Sequence, residues 1–231
     1  SLAIPLVAEL RRRVAAADAA SAPRVHWGST SQDAIDTAMA LATRRALALV
    51  QADLDRLIRA LLALAAREAA TPMLARTLMQ PASGTTLGFK LAGWAAPLLR
   101  GRDRLAHAAA QALQLQLGGA VGTLEGLGER GPAVAARVAE LLGLRAPEAA
   151  WHTQRDDWVA LGCELGVLVG TLGKIARDLA LLSQAEVGEL AEPSEPGRGG
   201  SSAMPHKRNP VASLMALAAA QRTPHRVAAL L

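Results

Sequence analysis

The chain has 231 residues, 51% of them apolar, with one Phe and no Tyr, so its interior has to be built from Ala, Leu and Val, which favours closely packed helices. Its 25 basic and 20 acidic side chains leave a net charge of +5 spread along the sequence, with Arg11, Arg12 and Arg13 the one tight cluster and no aromatic stacking platform. That distribution argues only weakly for nucleic acid and is compatible with an acidic metabolite, while the lone Cys163 excludes an internal disulfide framework and a thiolate metal cluster and fits a reducing cytoplasm.

The sequence opens at Ser1 inside an amphipathic pattern and stops inside the helical run from Arg226 to Leu231, which reads as part of a longer polypeptide, cut at both ends. No signal peptide is visible, and the most apolar stretch, 159–172, is interrupted by Glu164 and glycines and reads as too short to span a membrane. From Asp33 to about Ala70 apolar residues recur at helical spacing, with Leu54, Leu57, Ile58, Leu61, Leu62 and Ala65 on one stripe, until Thr71 and Pro72 stop the run. Further helices are predicted over 85–117, 132–142 and 155–190, and from Pro210 to the end; no segment alternates as a strand would. Several exceed the roughly 8 to 20 residues usual in globular helices, which points to an all-α bundle with apolar faces shared between subunits. The Gly- and Pro-rich stretch 193–200 is the longest break and a candidate lid.

Chemistry concentrates in residues 199–210, Gly-Gly-Ser-Ser-Ala-Met-Pro-His-Lys-Arg-Asn-Pro. Gly197, Gly199 and Gly200 let backbone approach a ligand, Ser201 and Ser202 supply hydroxyls, Lys207 a compact positive charge and Asn209 an amide, while the helix opening near Pro210 adds free N–H groups. Such a segment can hold an anion; read by composition alone it is equally a Gly/Ser/Pro connector with a solvated lysine. Thr30-Ser31-Gln32-Asp33 has the form of a capping box at the head of the first long helix, Thr30 as cap and Asp33 three residues on. Arg155 and Asp156 make a charged helix start, and His107 and His225 have no companions at metal-ligand spacing.

Residues 200–210, as Gly-Ser-Ser-x-Met-Pro-x-Lys-x-Asn-Pro, resemble the signature loop of the fumarase/aspartase superfamily, which includes adenylosuccinate and argininosuccinate lyases and the bacterial muconate lactonizing enzymes. His26-Trp-Gly-Ser-Thr-Ser-Gln-Asp33 and Arg76-Thr-Leu-Met-Gln-Pro-Ala82 running into Thr85-Thr-Leu-Gly88 resemble its other active-site segments, in the expected order. The resemblance implies a central domain of long helices over 31–231, preceded at 1–30 by the end of an N-terminal segment, with the C-terminal domain absent. It also implies a homotetramer whose sites draw on three subunits, a small polycarboxylate substrate, and no nucleic-acid or membrane partner.

Residue by residue, the resemblance implies that Ser201 and Lys207 are catalytic. It implies substrate contacts for His26, Thr30, Ser31, Arg76, Thr77, Gln80, Gln154, Arg155, Ser202, Met204 and Asn209, with Arg155 suited to a bidentate carboxylate. Two positions depart from the lyase pattern: where lyases carry a paired histidine and glutamate that assist the leaving group, this sequence has Leu78 and Leu214. Lactonisation of a muconate can dispense with that acid, because the group that leaves in the reverse direction is already a carboxylate. His26-Trp27-Gly28 and Trp151-His-Thr-Gln-Arg-Asp156 likewise look most like the lactonizing branch. The resemblance therefore implies a cycloisomerase of aromatic catabolism needing no metal or other cofactor. The alternatives are an adenylosuccinate-type lyase, favoured by Met-Pro-His-Lys-Arg-Asn-Pro, and a non-catalytic structural homologue.

Overall fold

A computed structural model describes residues 3–193 and 199–231. Six helices carry most of these residues: α1 (Ala3–Ala17), α2 (Ser31–Arg67), α3 (Leu87–Ala112), α4 (Gly131–Leu142), α5 (Asp156–Leu182) and α6 (Val211–Ala228). Contacts divide the chain into two compact units, Ser1–Val50 with Ala106–Trp158 and Gln51–Leu105 with Val159–Leu231, so the division falls within long helices. Gly197 and the middle of the candidate lid, 194–198, lie outside the described residues.

The helical class stands, with one correction. Pro72–Thr77 and Gln80–Thr86 form two antiparallel strands, β1 and β2, in a stretch where no strand was expected. Thr77 faces Gln80 across the turn, and Leu78 and Met79 between them have φ of 49° and 62°, as a type I′ turn requires. β2 is exposed over its first five residues, and β1 alternates exposed with half-buried positions while its sequence, Pro-Met-Leu-Ala-Arg-Thr, carries no matching polar–apolar alternation. β2 also takes Thr85 and Thr86 from the predicted second helix, which starts at Leu87.

In the first unit Ala40 from α2, Ala135 and Ala139 from α4, and Leu115 and Leu144 form a core with Trp158 against it. Beyond Ala112 the chain is extended rather than helical, because Gln114 pairs with Arg145 in a parallel bridge. Gly143 (φ 62°) ends α4, and Arg44 Nη1 donates to the carbonyls of Leu142 and Gly143 at 2.6 Å, occupying acceptors left open at the helix end.

In the second unit α2 buries Leu54, Ile58 and Leu61, as its stripe predicts, while Leu62 stays exposed. The small residues of α5 let α6 approach: a methyl at Gly162, Gly166 or Gly173 would run into Leu230, Val227 or Ala220. This helix is long and apolar enough to cross a membrane by length and composition. Its polar side chains nevertheless meet protein partners, Glu164 with Arg104 and Asp178 with Trp94, as in a helix packed among others. α5 ends at Leu182, not Leu190, because the N–H groups of Glu189 and Leu190 both return to the Leu182 carbonyl around Gly188 (φ 61°).

Candidate active site

In the first unit the site segment is organised by two buried carboxylates one turn apart on α2. Asp33 (3% exposed) accepts the N–H of Thr30 at 2.9 Å, of Gly118 at 3.1 Å and of Gly119 at 2.9 Å, and pairs with His152 Nε2 at 2.8 Å. Only that half of the capping box forms; the Asp33 N–H bonds the Thr30 carbonyl at 3.1 Å instead of the side chain. The half-buried hydroxyls of Thr30 and Ser31 are therefore not claimed by protein groups among the described residues. His26 lies upstream in a left-handed turn (φ 66°), and Trp27 Nε1 donates to the Gly126 carbonyl at 2.8 Å, holding this segment against the 118–127 turn.

Asp36 (2% exposed) takes both Nη atoms of Arg155 at 3.0 and 2.8 Å, with Gln32 Nε2 at 2.9 Å, and Arg155 Nε donates to the His152 carbonyl at 3.0 Å. Within the protein Arg155 already holds one carboxylate in its fork, and that contact ties the start of α5 to α2. Gln154, next to it, is exposed, and Thr153 Oγ donates to its Oε1 at 3.0 Å.

In the second unit Arg76 is likewise engaged, its two Nη atoms each 2.9 Å from one oxygen of Glu189. The hydrogen bond with Glu189 holds the Arg76 guanidinium above its ordinary pKa. Thr77 and Gln80 stand exposed as facing partners at the hairpin end.

The signature loop closes on itself. Asn209 donates its N–H to Gly199 O at 2.8 Å and its amide to the carbonyls of Gly199 and Gly200 at 3.2 and 3.4 Å, while the Met204 N–H donates to Ser201 Oγ at 3.2 Å. Through its Nδ2 the Asn209 side chain clasps the loop. Glu192 receives the N–H groups of Ala212 and Ser213 at 3.0 and 2.7 Å, fastening the strand before the loop to the opening of α6. A cavity of about 920 Å³ lies here, with Met204, Lys207 and Asn209 of the loop and Leu214 of α6 in its wall; Ser201 and Ser202 are not part of that wall.

The expected residues therefore assemble as two local groups. His26, Thr30, Ser31, Gln154 and Arg155 belong to the first unit; Arg76, Thr77, Gln80 and the loop residues belong to the second. Sequence reasoning missed Asp36, His152 and Glu189, and took Asp33 for a cap alone. The signal available was two acids one turn apart in a helix whose pattern demands burial.

A family described as lyase matches residues 6–223. The 3-carboxy-cis,cis-muconate cycloisomerase of Pseudomonas aeruginosa is 53% identical over 228 residues, covering 99% of this chain and 50% of the relative. The nitrosuccinate lyase of Streptomyces davaonensis is 46% identical over 235 residues, covering 98% and 49%. Among solved structures, the 3-carboxy-cis,cis-muconate lactonizing enzyme of Pseudomonas putida superposes with a TM-score of 0.88 at 45% identity, over 98% of this chain and 50% of that one. The chain thus spans about half the length of the curated relatives it matches.

Proposed function

Because this chain belongs to the lyase family, within the fumarase/aspartase superfamily, we propose that it is the central part of a cycloisomerase that closes 3-carboxy-cis,cis-muconate, or a closely related substituted muconate, to its muconolactone. The observation that carries this reading is the pair Leu78 and Leu214. One stands 94% exposed at the hairpin turn and the other in the cavity wall, where a lyase would carry its histidine and glutamate, and neither side chain can hold a proton.

The reaction asks for one proton. A substrate carboxylate oxygen bonds to a carbon of the conjugated double bond, the displaced electron pair moves toward the neighbouring carboxylate as an aci-carboxylate, and protonation of the adjacent carbon completes the lactone. Ser201 gives that proton as general acid, and Lys207 stabilises the alkoxide left behind. Thr30 and Ser31 bind a carboxylate through their unclaimed hydroxyls, with His26, Thr77, Gln80, Gln154, Ser202 and Met204 lining the rest. Arg155, Arg76 and Asn209, oriented by Asp36, Glu189 and the loop carbonyls, add polar groups to the same substrate site. The site is completed by other copies of the chain in a homotetramer, each copy contributing one motif region, in a soluble cytoplasmic enzyme of protocatechuate catabolism.

A second reading, an elimination lyase, has the nitrosuccinate lyase relative in its favour. Incubation with 3-carboxy-cis,cis-muconate and, separately, with adenylosuccinate decides between them. Loss of diene absorbance without fumarate release supports the cycloisomerase; fumarate release overturns it.

A further inference from the structure

From the contact between Arg76 and Glu189 we infer that Glu189 is a positioning residue: it pins the β-hairpin, and so sets where Thr77 and Gln80 stand. The inference rests on the proposed function for its consequence in turnover, but not for the pin itself.

A two-stranded ribbon is marginal in water on its own, since it buries little apolar surface. This one is exposed along nearly all of β2 and at Thr77, and its turn holds two non-glycine residues in the left-handed region. Its base is fixed by backbone: the Leu87 N–H donates to Thr71 O at 2.9 Å, and the Gly88 N–H to Glu68 O at 3.0 Å. These bonds sit at the far end of the ribbon from Thr77 and Gln80.

Nearer the tip, at the register shift between Leu74 and Arg76, the polar contact is the Arg76 fork on Glu189, 113 residues away in sequence. The two side chains are 27% and 24% exposed, so the pair is partly shielded and its geometry is fork on fork. Glu189 is itself anchored, because its N–H bonds the Leu182 carbonyl at the end of α5. Three residues later Glu192 fastens the same segment to α6, at 2.7 Å to the Ser213 N–H. One short segment thus ties both the hairpin and the base of the signature loop to the α5–α6 pair.

The test compares the full chain with Glu189→Gln, the charge swap Arg76→Glu with Glu189→Arg, and Asp103→Asn as an exposed control. Amide hydrogen exchange over 72–86 reads the ribbon without reference to activity. Glu189→Gln is expected to speed that exchange and to lower kcat/KM for 3-carboxy-cis,cis-muconate by about ten- to a hundredfold through misplacement of the binding groups. The swap is expected to restore slow exchange, and the control to match wild type in both. Unchanged exchange over 72–86 in Glu189→Gln overturns the inference, whatever the activity does. Faster exchange with a wild type that leaves the diene untouched would keep the pin and overturn the functional reading instead.

Discussion

Arg155 closes both Nη atoms on the two oxygens of Asp36, at 3.0 and 2.8 Å, and its guanidinium lies over the Trp151 ring at 4.9 Å. Asp36 is nearly inaccessible, so removing the arginine leaves a buried charge with Gln32 and Gln116 as its remaining side-chain donors among the described residues. We predict that Arg155→Ala destabilises the protein by about 3 kcal/mol, and that Arg155→Lys recovers only part, since an ammonium cannot form the fork. Urea unfolding followed by tryptophan fluorescence checks this. A raised KM with unchanged stability would contradict the structural role of the fork.

Asp33 is a hub rather than a cap. Asn in its place keeps one carbonyl oxygen but turns an NH₂ toward backbone donors now served by the second carboxylate oxygen. Asp33→Asn is therefore expected to cost about 2–4 kcal/mol. His152→Asn should cost less, because Asp33 keeps its three backbone N–H partners. Equal losses in the two variants would contradict the hub.

For the chemistry, Ser201→Ala is predicted to lower kcat on 3-carboxy-cis,cis-muconate by about 10²- to 10⁴-fold, the usual worth of a positioned general acid, with KM little changed. Lys207→Met should lower kcat through the unsupported alkoxide. Steady-state kinetics on the diene absorbance tests both, and near-normal turnover by Ser201→Ala sinks the assignment.

The parts of this molecule that local chemistry dictates could be read in advance. The α2 stripe, the Pro132 start of α4 and the closure of α4 at Gly143 follow from periodicity and turn residues. The hairpin could not be read, because Thr77-Leu-Met-Gln80 lacks the Asn-Gly signal of its turn, β2 is mostly exposed, and the half-buried positions of β1 are not matched by polar–apolar alternation in its sequence. Site residue types were legible while their partners were not. An arginine fork suits any carboxylate, and nothing local points Arg155 to Asp36 or Arg76 to Glu189, which lie 119 and 113 residues away along the chain.

Asp178 gives a pH prediction. Burial alone would raise its carboxyl, but hydrogen bonds from Lys174 and Trp94 Nε1 and the charge of Lys90 outweigh it, so its pKa lies below the usual carboxylate value. The folded state thus favours the ionised form. Its stabilisation is complete above the unfolded pKa of about 4 and is lost as pH falls through the lower folded value. Asp178→Asn should be less stable than wild type at pH 7, by about 1–2 kcal/mol, and the gap should narrow on acidification below pH ~4. Thermal melts of both proteins across that window decide it; a constant gap would rule the linkage out.

The turn of the hairpin offers the last test. Leu78 and Met79 adopt positive φ without the freedom of glycine, at a cost of roughly 1 kcal/mol each. The double change Leu78→Asn, Met79→Gly installs the pair that a type I′ turn favours and is predicted to slow amide exchange over 72–86. The side chains being replaced are 94% and 76% exposed, so folding of the isolated chain has no evident use for them. If the ribbon tightens while turnover on the diene falls, the strain is retained for contacts that the tip makes during the reaction. If exchange is unchanged or faster, the turn is not strained, and the ribbon's exposed end owes its shape to something other than its two central residues.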